Sequence, residues 1–307
     1  MFVPEYTLTA KTLKNIGAIE YGRAIIENTV ILQNWEKQMQ NHTLMDGIYS
    51  NLQLEGFNTS TDNTSEVQNM KIGLAVIRQN EISENDLKNI NHALTGKTIY
   101  RSSSISDRTK PAEILAEIVE FFDWLNSMDA RDSHPVIVAA ITKARLEKIV
   151  PFENYNSASA NIIALMVLRS FNYSFREFVD ASLYFNRGKK EYFEHIKNLT
   201  THVNDFTQWI EYFSEGLAAQ VVSAQEKVKL LAKDTKIAKA TGRIKLTPRQ
   251  EKIVEYLQDY GILQNKDFIK LFPDKSEDSI LRDLKVLIDY SIIHKVGSTK
   301  SSRYELK

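Results

Sequence analysis

Apolar residues recur at helical spacing along most of this chain, and one stretch is apolar on almost every face. Residues 161–168 read NIIALMVL, so we expect a helix buried at the centre of a core. Further along, Trp209 and Phe213 fall on one face of another predicted helix, for which Asp205 or Thr207 can supply the N-terminal cap. The pattern predicts a mainly α-helical protein.

Residues 246–307 carry a different pattern, with shorter apolar repeats between turn signals. Thr247 and Pro248 are typical of a helix start, and Gly261 of a helix end. Two more helices and then two short strands, with a turn at Gly297, are predicted to follow. The apolar positions that define the helices are Ile253, Val254, Leu257, Ile262, Phe268, Ile269, Leu271, Ile280, Leu281, Leu284, Leu287 and Ile288. This small α+β pattern resembles a winged helix-turn-helix.

Length and composition suit a protein of two globular domains. The chain has 307 residues, of which 43% are hydrophobic, and it has no cysteine, which excludes disulfides, thiolate metal sites and cysteine nucleophiles. Its 6 histidines show no metal-binding spacing. No apolar run is long enough to span a membrane and no signal peptide is evident. We therefore expect a cytoplasmic protein without membrane contact, metal or cofactor.

The net charge of the whole chain is zero, but its two parts carry opposite net charges. Residues 227–307 contain 18 Lys and Arg against 11 Asp and Glu, a net charge of +7, which leaves −7 for residues 1–226. A basic C-terminal module favours contact with phosphates. Much of the excess lies in the Lys- and Ala-rich residues 227–245, which could also form a solvated helical linker.

The most informative segment is residues 150–161, which read VPFENYNSASAN. It resembles the catalytic segment of the Fic domain family, whose members transfer AMP or related groups onto protein hydroxyls and whose segment reads HPFx(D/E)GNGRxxR. Pro151, Phe152 and Asn156 match that segment. The differing positions are Val150 for the general base, Asn154 for the acidic metal ligand, Tyr155 and Ser157 for the two glycines, and Ala158 and Asn161 for the two arginines.

Other segments carry the same resemblance. Residues 205–213, DFTQWIEYF, are similar to a family signature, and Ser182 with the pair Tyr192-Phe193 is similar to the family's serine and paired aromatics. His134 and Pro135 begin the helix that leads into the motif, and because proline suits the first helical position we expect His134 to cap it. The family often has a second histidine in this helix, at the position of Lys143.

The N-terminal part resembles the family's inhibitory helix at residues 50–56, SNLQLEG. The resemblance implies that Glu55 matches the inhibitory glutamate, whose arginine partner position is Asn161 here, so we expect a structural or residual role for Glu55. The family's target-docking flap begins at a Tyr-Arg pair, here Tyr100-Arg101. Residues 102–110 are too short for a two-stranded flap.

These features predict a mainly α Fic-type helical domain with an N-terminal helical extension and a small C-terminal winged helix. We place the Fic-like domain at residues 1–225, with the inhibitory-helix region at about 1–95 and the core at about 96–225. A basic helical linker would follow at 226–245 and the winged helix at 246–307. A homodimer through the Fic-like domain and a separate protein partner remain open.

Three functions are compatible with this pattern. The leading hypothesis is a catalytically inactive Fic-like protein that acts as a DNA-binding regulator or scaffold, because base, metal ligand and phosphate cradle are all replaced. A divergent AMP transferase that uses Glu153 or Asn156 with Lys143 is the first alternative. A protein-binding partner or inhibitor of an active Fic or toxin protein is the second.

If the C-terminal module binds DNA, its third helix is expected to enter the major groove with its N-terminal end nearest the bases. The residues predicted to contact DNA are Ser276, Ser279, Arg282 and Lys285 on this helix, and Lys300 and Arg303 on the wing. The helix also carries Glu277 and Asp278, which weakens the prediction. Arg282 and Asp283 could instead form a structural salt bridge.

Overall fold

The computed structural model describes residues 2–58, 64–76, 81–106, 108–201, 205–240, 246–290, 292–297 and 302–307. The chain divides into two compact units. The first comprises residues 1–28 and 37–225, and the second comprises residues 29–36 and 226–307. The finer boundaries predicted near residues 95 and 245 stay predictions.

Helices dominate the chain up to residue 240. In chain order they are α1 (Ala10–Asn28), α2 (Gln33–Leu54), α3 (Ser65–Ala75), α4 (Glu84–Thr95), α5 (Ile114–Leu125), α6 (Met128–Asp132), α7 (Pro135–Ile149), α8 (Asn156–Ser170), α9 (Ser182–Arg187), α10 (Lys189–Thr201) and α11 (Thr207–Ala240). None of the helices in the described ranges is both long and apolar enough to span a bilayer.

The core of the first unit is built around α7 and α8, which pack against each other along their lengths. His134 caps α7, as predicted: its Nδ1 accepts a hydrogen bond from the amide of Val136 at 3.3 Å, and Pro135 occupies the first helical position. The apolar stretch 161–168 lies inside α8 and is buried except at Leu165, which confirms the predicted central helix. The short loop between α7 and α8 holds the motif segment.

The start of α11 also matches the prediction. The Asp205 carboxylate accepts a hydrogen bond from the amide of Thr207 at 2.9 Å. Trp209 and Phe213 are each 1% exposed, and the Trp209 indole donates to the Ala140 carbonyl at 2.8 Å. The signature DFTQWIEYF therefore anchors α11 onto α7.

The second unit is a small α+β structure. Its elements are α12 (Pro248–Tyr260), β1 (Leu263–Gln264), α13 (Phe268–Leu271), α14 (Glu277–Asp289), β2 (Ile293–Val296) and β3 (Arg303–Leu306). The antiparallel sheet has the order β1-β3-β2, with Tyr304 opposite both Leu263 and Lys295. Apolar side chains from all three helices and from the sheet form one core, which includes Ile253, Leu257, Phe268, Ile280, Leu284, Leu287, Ile293 and Tyr304. Each fully buried side chain of this size stabilises the fold by about 1.5–3 kcal/mol.

Candidate functional site

The motif loop keeps an unusual backbone at its first position. Val150 ends α7 in the left-handed conformation, with φ 50° and ψ 65°. A β-branched residue is unfavourable there because its Cβ crowds the following carbonyl. Position 150 holds neither glycine nor asparagine, which adopt this conformation more readily, so the surrounding contacts must hold the turn in place.

Two arginines supply those contacts from residues 101–108. Arg101 is almost fully buried, and its Nε donates to the Val150 carbonyl at 2.6 Å while its Nη2 donates to the Ile149 carbonyl at 3.3 Å. Arg108 donates to the Glu147 carbonyl at 2.9 Å. The last carbonyls of a helix have no partner within the helix and favour cations. The described residues between 102 and 110 contain no strand. Arg108 among them, together with the preceding Arg101, caps the C-terminal end of α7.

Asn156, one of the three residues that match the Fic segment, has a structural role here. Its Oδ1 accepts a hydrogen bond from the Phe152 amide at 2.9 Å, and its Nδ2 donates to the Phe152 carbonyl at 2.8 Å. Phe152 itself is buried, with its ring 5.6 Å from that of Tyr100. The side-chain amide therefore closes the loop, and both of its polar atoms are engaged.

Tyr155 occupies the position of the first motif glycine and keeps a glycine-like backbone. Its φ is 59° and its ψ 30°, so the loop has a left-handed residue at this point although the sequence offers a bulky ring. The ring is 8% exposed and stacks on Phe57 with centroids 5.1 Å apart. Burial and aromatic stacking offset the backbone strain. The ring pair lies at the N-terminal end of α8.

Glu55 reaches the same turn from the end of α2. Gly56, at φ 90°, terminates α2 with hydrogen bonds from its own amide to the Gln53 carbonyl and from the Phe57 amide to the Leu52 carbonyl. This turn aims Glu55 at α8, where its Oε1 accepts a hydrogen bond from the Ala158 amide at 2.8 Å. The free amides of a helix N-terminus attract anions, so the carboxylate of this chain occupies an anion position.

The environment of Glu55 shifts its acidity into the neutral range. Burial raises the pKa of the Glu55 carboxyl to about 7. Hydrogen bonds from the Ala158 and Ser157 amides and the charge of Lys143 lower this pKa, while the charge of Glu147 raises it, and burial outweighs the lowering effects. The bond to α8 thus involves a group that titrates near neutral pH.

A buried charged network lies beneath this turn, and the sequence did not predict it. The Lys143 ammonium donates to Glu147 Oε1 at 3.1 Å and to the Ser157 carbonyl at 3.3 Å. The Tyr192 hydroxyl donates to the same Glu147 oxygen at 2.5 Å and lies 2.7 Å from Ser157 Oγ. Lys143 and Tyr192 are fully buried. The signal available in the sequence was a Lys and a Glu four residues apart in the helix that leads into the motif segment.

This network holds Glu147 as a carboxylate. Burial raises the pKa of the Glu147 carboxyl, but the Lys143 charge and the hydrogen bonds from Tyr192 and Ser157 lower it by more, so the pKa lies below its ordinary range. Burial and the neighbouring Glu147 charge raise the pKa of Tyr192, which keeps that hydroxyl protonated as a donor. A buried ion pair with its remaining polar atoms bonded is stable, but it is costly to break from one side.

The remaining positions of the motif segment have different surroundings. Asn154 is exposed, Ala158 is fully buried, and Asn161 is 3% exposed with no hydrogen-bond partner for its Nδ2 among the described residues. The resemblance matches Asn161 to the arginine that pairs with the family's inhibitory glutamate, but the Glu55 carboxylate bonds to the backbone amide of Ala158. The structure therefore brings Glu55, Tyr155 and Ala158 together and leaves Asn154 outside.

The residues predicted to contact DNA lie mainly on α14 and β3. Ser276 precedes α14 and is exposed, Ser279 is half-buried, and Arg282 and Lys285 are exposed. Arg303 is exposed on β3 and pairs with Glu305 at 2.6 Å. Lys300 lies outside the described residues.

The predicted alternative of a salt bridge between Arg282 and Asp283 is wrong. Asp283 points into the core of the second unit, where it forms an ion pair with Arg249 at 2.7 Å and accepts a hydrogen bond from Gln250 at 3.4 Å. Adjacent helical residues point in different directions, so Arg282 faces outward. No ion pair of Arg282 occurs among the described residues.

Comparison with known proteins identifies the fold. No protein family model matches the chain, and no curated protein matches it. Solved structures match along the whole chain or most of it. A Fic family protein from Desulfovibrio desulfuricans G20 has a TM-score of 0.64 and 15% identity, with 100% of this chain and 98% of that chain covered.

Two further structures agree with this match. A Fic domain containing signaling protein from Bacteroides thetaiotaomicron has a TM-score of 0.56 and 17% identity, covering 72% of this chain and 98% of its own. Fic-1 from C. elegans, residues 134–508, has a TM-score of 0.57 and 17% identity, covering 71% and 74%. Such low identities establish the fold alone: the chain has a mainly α Fic fold with a small α+β C-terminal unit.

Proposed function

We propose that this chain is a catalytically inactive Fic-fold protein that acts as a DNA-binding regulator or scaffold. One observation carries the first half of the proposal: Glu55 and the stacked Tyr155 and Phe57 rings occupy the N-terminal end of α8. The amides of a helix N-terminus are where the phosphates of a nucleotide bind. One of these amides already bonds to a carboxylate of this chain.

The residues at this end of α8 do not fit a metal-bound nucleotide. Mg²⁺ requires hard oxygen ligands that include carboxylates, and Asn154 offers a neutral, exposed amide. A hydroxyl nucleophile needs a group that takes its proton, and Val150 has none. The buried Lys143 is bound to Glu147 and Ser157, so its charge is already used.

A divergent transferase is the second candidate, and the contacts of its proposed residues weigh against it. Both polar atoms of Asn156 bond to the Phe152 backbone. Lys143 is fully buried. Glu153 is exposed, and its carboxylate accepts hydrogen bonds from Ser103 at 3.0 and 3.2 Å. None of the three combines access with a free reactive atom.

A transfer assay tests the first half of the proposal, that the chain is catalytically inactive. The full chain is incubated with labelled ATP, Mg²⁺ or Mn²⁺ and a protein extract, with a Fic transferase of known activity as the positive control. We expect no labelled protein, because loss of a base alone costs about 10²–10⁴ in rate and the metal and phosphate contacts are missing too. Labelling by the wild-type chain that disappears in Glu153→Gln would overturn the proposal and favour the divergent enzyme.

The second half rests on the C-terminal unit. Its order of helix, strand, two helices and two strands is the order expected of a winged helix, with α14 as the third helix. Arg282 and Lys285 are exposed on α14, while Asp283 is turned inward by Arg249. Exposed cations on a third helix support contact with a DNA groove. The acidic residues Glu277 and Asp278 in its first turn support the alternative of a protein partner.

Fluorescence anisotropy of the full chain against genomic fragments, at two salt concentrations, tests this half. We expect salt-dependent binding, and we expect Arg282→Ala with Lys285→Ala to weaken it by about 1–3 kcal/mol for each side chain that reads a base. The matched control is Lys190→Ala with Lys197→Ala, which removes the same charge from exposed positions of α10. Equal effects of both pairs, or no binding at all, would favour a protein-interaction module.

A further inference from the structure

A cavity of about 170 Å³ lies inside the first unit, away from the motif loop. We call it the α2–α8 cavity. Its walls come from the first half of α2, the later turns of α8 and the segment 173–181, with contributions from Leu74, Phe213 and Leu217. Small-molecule sites are concave pockets lined by apolar and aromatic side chains with a few polar groups, and the lining of this cavity has such a composition.

The wall of the cavity includes a buried carboxylate without a cation. Asp180 is 8% exposed, and its Oδ1 accepts a hydrogen bond from the Ser182 amide at 2.8 Å. No ion pair of Asp180 occurs among the described residues. Arg169, also in the wall, pairs with Glu177 at 3.4 Å instead. Buried carboxylates in proteins are normally paired, so this one calls for a positive partner.

Gly47 makes room for this carboxylate. A Cβ atom at Gly47 would come within 2.3 Å of Asp180 Oδ2, a distance that no real contact tolerates. The close approach of α2 therefore depends on the missing side chain. The position of Asp180 thus depends on a glycine in α2.

A second polar group in the wall is unsatisfied. Asn161 lines the cavity, is 3% exposed, and its Nδ2 has no acceptor among the described residues. A buried amide donor without a partner is unfavourable and is uncommon in native proteins. An acceptor atom on a bound molecule would satisfy it.

Strained backbone shapes the aromatic side of the cavity. Phe175, Arg176 and Glu177 have φ values of 47°, 52° and 64°, three left-handed residues in succession, none of them glycine. The turn is held by hydrogen bonds from Arg176 to the Ile26 carbonyl and from Gln40 to the Arg176 carbonyl, both at 3.1 Å. It places the Tyr173 and Phe175 rings in the wall. Strain that neighbouring elements maintain is typical of ligand sites.

We propose that the α2–α8 cavity binds a small organic ammonium ion that also carries a hydrogen-bond acceptor. The ammonium pairs with Asp180, the acceptor takes the hydrogen of Asn161 Nδ2, and the body of the ligand packs on Tyr173, Phe175 and Phe213. Aromatic faces attract organic cations as well as apolar groups. The cavity volume of about 170 Å³ restricts the ligand to a small compound.

The test uses two ammonium probes and their neutral counterparts on the full chain. Tyramine, whose hydroxyl can accept a hydrogen bond, is compared with 4-ethylphenol, and benzylammonium, which lacks the acceptor and tests the charge alone, is compared with benzyl alcohol. Binding is measured by isothermal titration calorimetry and by the shift in thermal unfolding. We expect at least one ammonium probe to bind in the millimolar range or tighter, and its neutral counterpart to bind at least about tenfold more weakly, as removal of a charge-assisted hydrogen bond implies.

Two variants assign the binding to this cavity. Asp180→Asn keeps an acceptor for the Ser182 amide and should lower the affinity for the ammonium probe by about tenfold or more. Ala164→Phe fills the cavity at a residue that is 2% exposed and should abolish binding. The matched control, Glu194→Gln on the exposed face of α10, should leave the affinity unchanged. Absence of binding by both ammonium probes, equal binding of the neutral probes, or full affinity in Asp180→Asn would each overturn the proposal.

Discussion

The N-terminal end of α8 and its side facing the cavity differ in how their polar groups are bonded. At its N-terminal end, the Glu55 carboxylate bonds to the Ala158 amide, the Tyr155 ring stacks on Phe57, and Asn156 closes the loop with both of its polar atoms. Further along the same helix, Asn161 is buried with an unpaired Nδ2 beside an open cavity. The N-terminal end is filled by the chain itself, and the side facing the cavity, which we call the open end, retains space and the unsatisfied Asn161 amide.

This contrast shows that the backbone shape of the motif loop does not depend on the preferences of its side chains. The motif loop keeps left-handed residues at Val150 and Tyr155 although neither side chain favours that conformation. The loop shape is therefore imposed by packing and by the Arg101 hydrogen bonds. The cavity shows the reverse, because Asn161 Nδ2 has no acceptor and Asp180 has no cation among the described residues. A ligand site is best sought where the chain leaves its own groups unpaired.

The largest expected effect comes from the network beneath the filled end. Lys143→Met removes the cation but leaves Glu147 buried, and we expect it to lower the free energy of unfolding by about 3–5 kcal/mol. Chemical denaturation measures this value. Adding Glu147→Gln removes the uncompensated charge while keeping an acceptor for Tyr192, so the double variant should regain much of the stability. A single variant within about 1 kcal/mol of wild type would contradict the buried pair.

The pH dependence of Glu55 should come next in size. Its pKa is about 7 in the folded chain against 4.5 for an ordinary glutamate, so the folded state binds the proton more tightly. The contribution to stability is complete below the ordinary value and is lost as pH rises through 7. Over this range wild type should lose about 3 kcal/mol relative to Glu55→Gln, from 1.36 kcal/mol per pKa unit.

Denaturation of both proteins between pH 4.5 and 8 measures that difference. Glu153→Gln is the control with the opposite sign, because hydrogen bonds from Ser103 lower the pKa of this exposed carboxyl. Its stabilising effect is present above the ordinary pKa of 4.5 and is lost only below it, so the difference between wild type and Glu153→Gln should stay constant between pH 4.5 and 8. A difference between wild type and Glu55→Gln that stays flat across this range would contradict the burial of the Glu55 carboxyl.

Two asparagines of the motif segment give the sharpest comparison. Asn156→Ala removes two hydrogen bonds to Phe152 and should lower the free energy of unfolding by about 2 kcal/mol, at about 1 kcal/mol for each bond. The control is the exposed Asn154→Ala in the same loop, which should change stability by less than about 0.5 kcal/mol. Equal effects in the two variants would mean that Asn156 does not close the loop.

The smallest effect is expected at the open end, and in the opposite direction. Asn161→Leu replaces an unsatisfied buried amide by an apolar side chain of similar size, so stability should be unchanged or raised by about 1 kcal/mol. Thermal and chemical unfolding of the ligand-free protein measure this. A destabilisation comparable to that of Asn156→Ala would show that Asn161 has a partner within the chain and would erase the difference between the two ends.

Local patterns in the sequence were enough for much of the fold. The continuous apolar run 161–168 predicted a central helix, and His134 with Pro135 predicted the start of α7. The helices and the hairpin of the second unit also followed from short-range spacing and turn residues. These features depend on neighbours within a few positions, which is the range over which helical periodicity and capping act.

The sequence by itself determined the side-chain chemistry of the loop before α8 and of its first turn, because Val150, Asn154 and Ala158 have the same chemistry in any fold. Only the tertiary structure decided which groups of the chain lie beside them. Glu55 meets Ala158 across 103 positions of the chain, and Glu147 meets Tyr192 across 45. The cavity beside Asn161 likewise depends on elements far apart in sequence. Periodicity encodes the face that a side chain occupies, but the partner it meets is set by how whole helices pack.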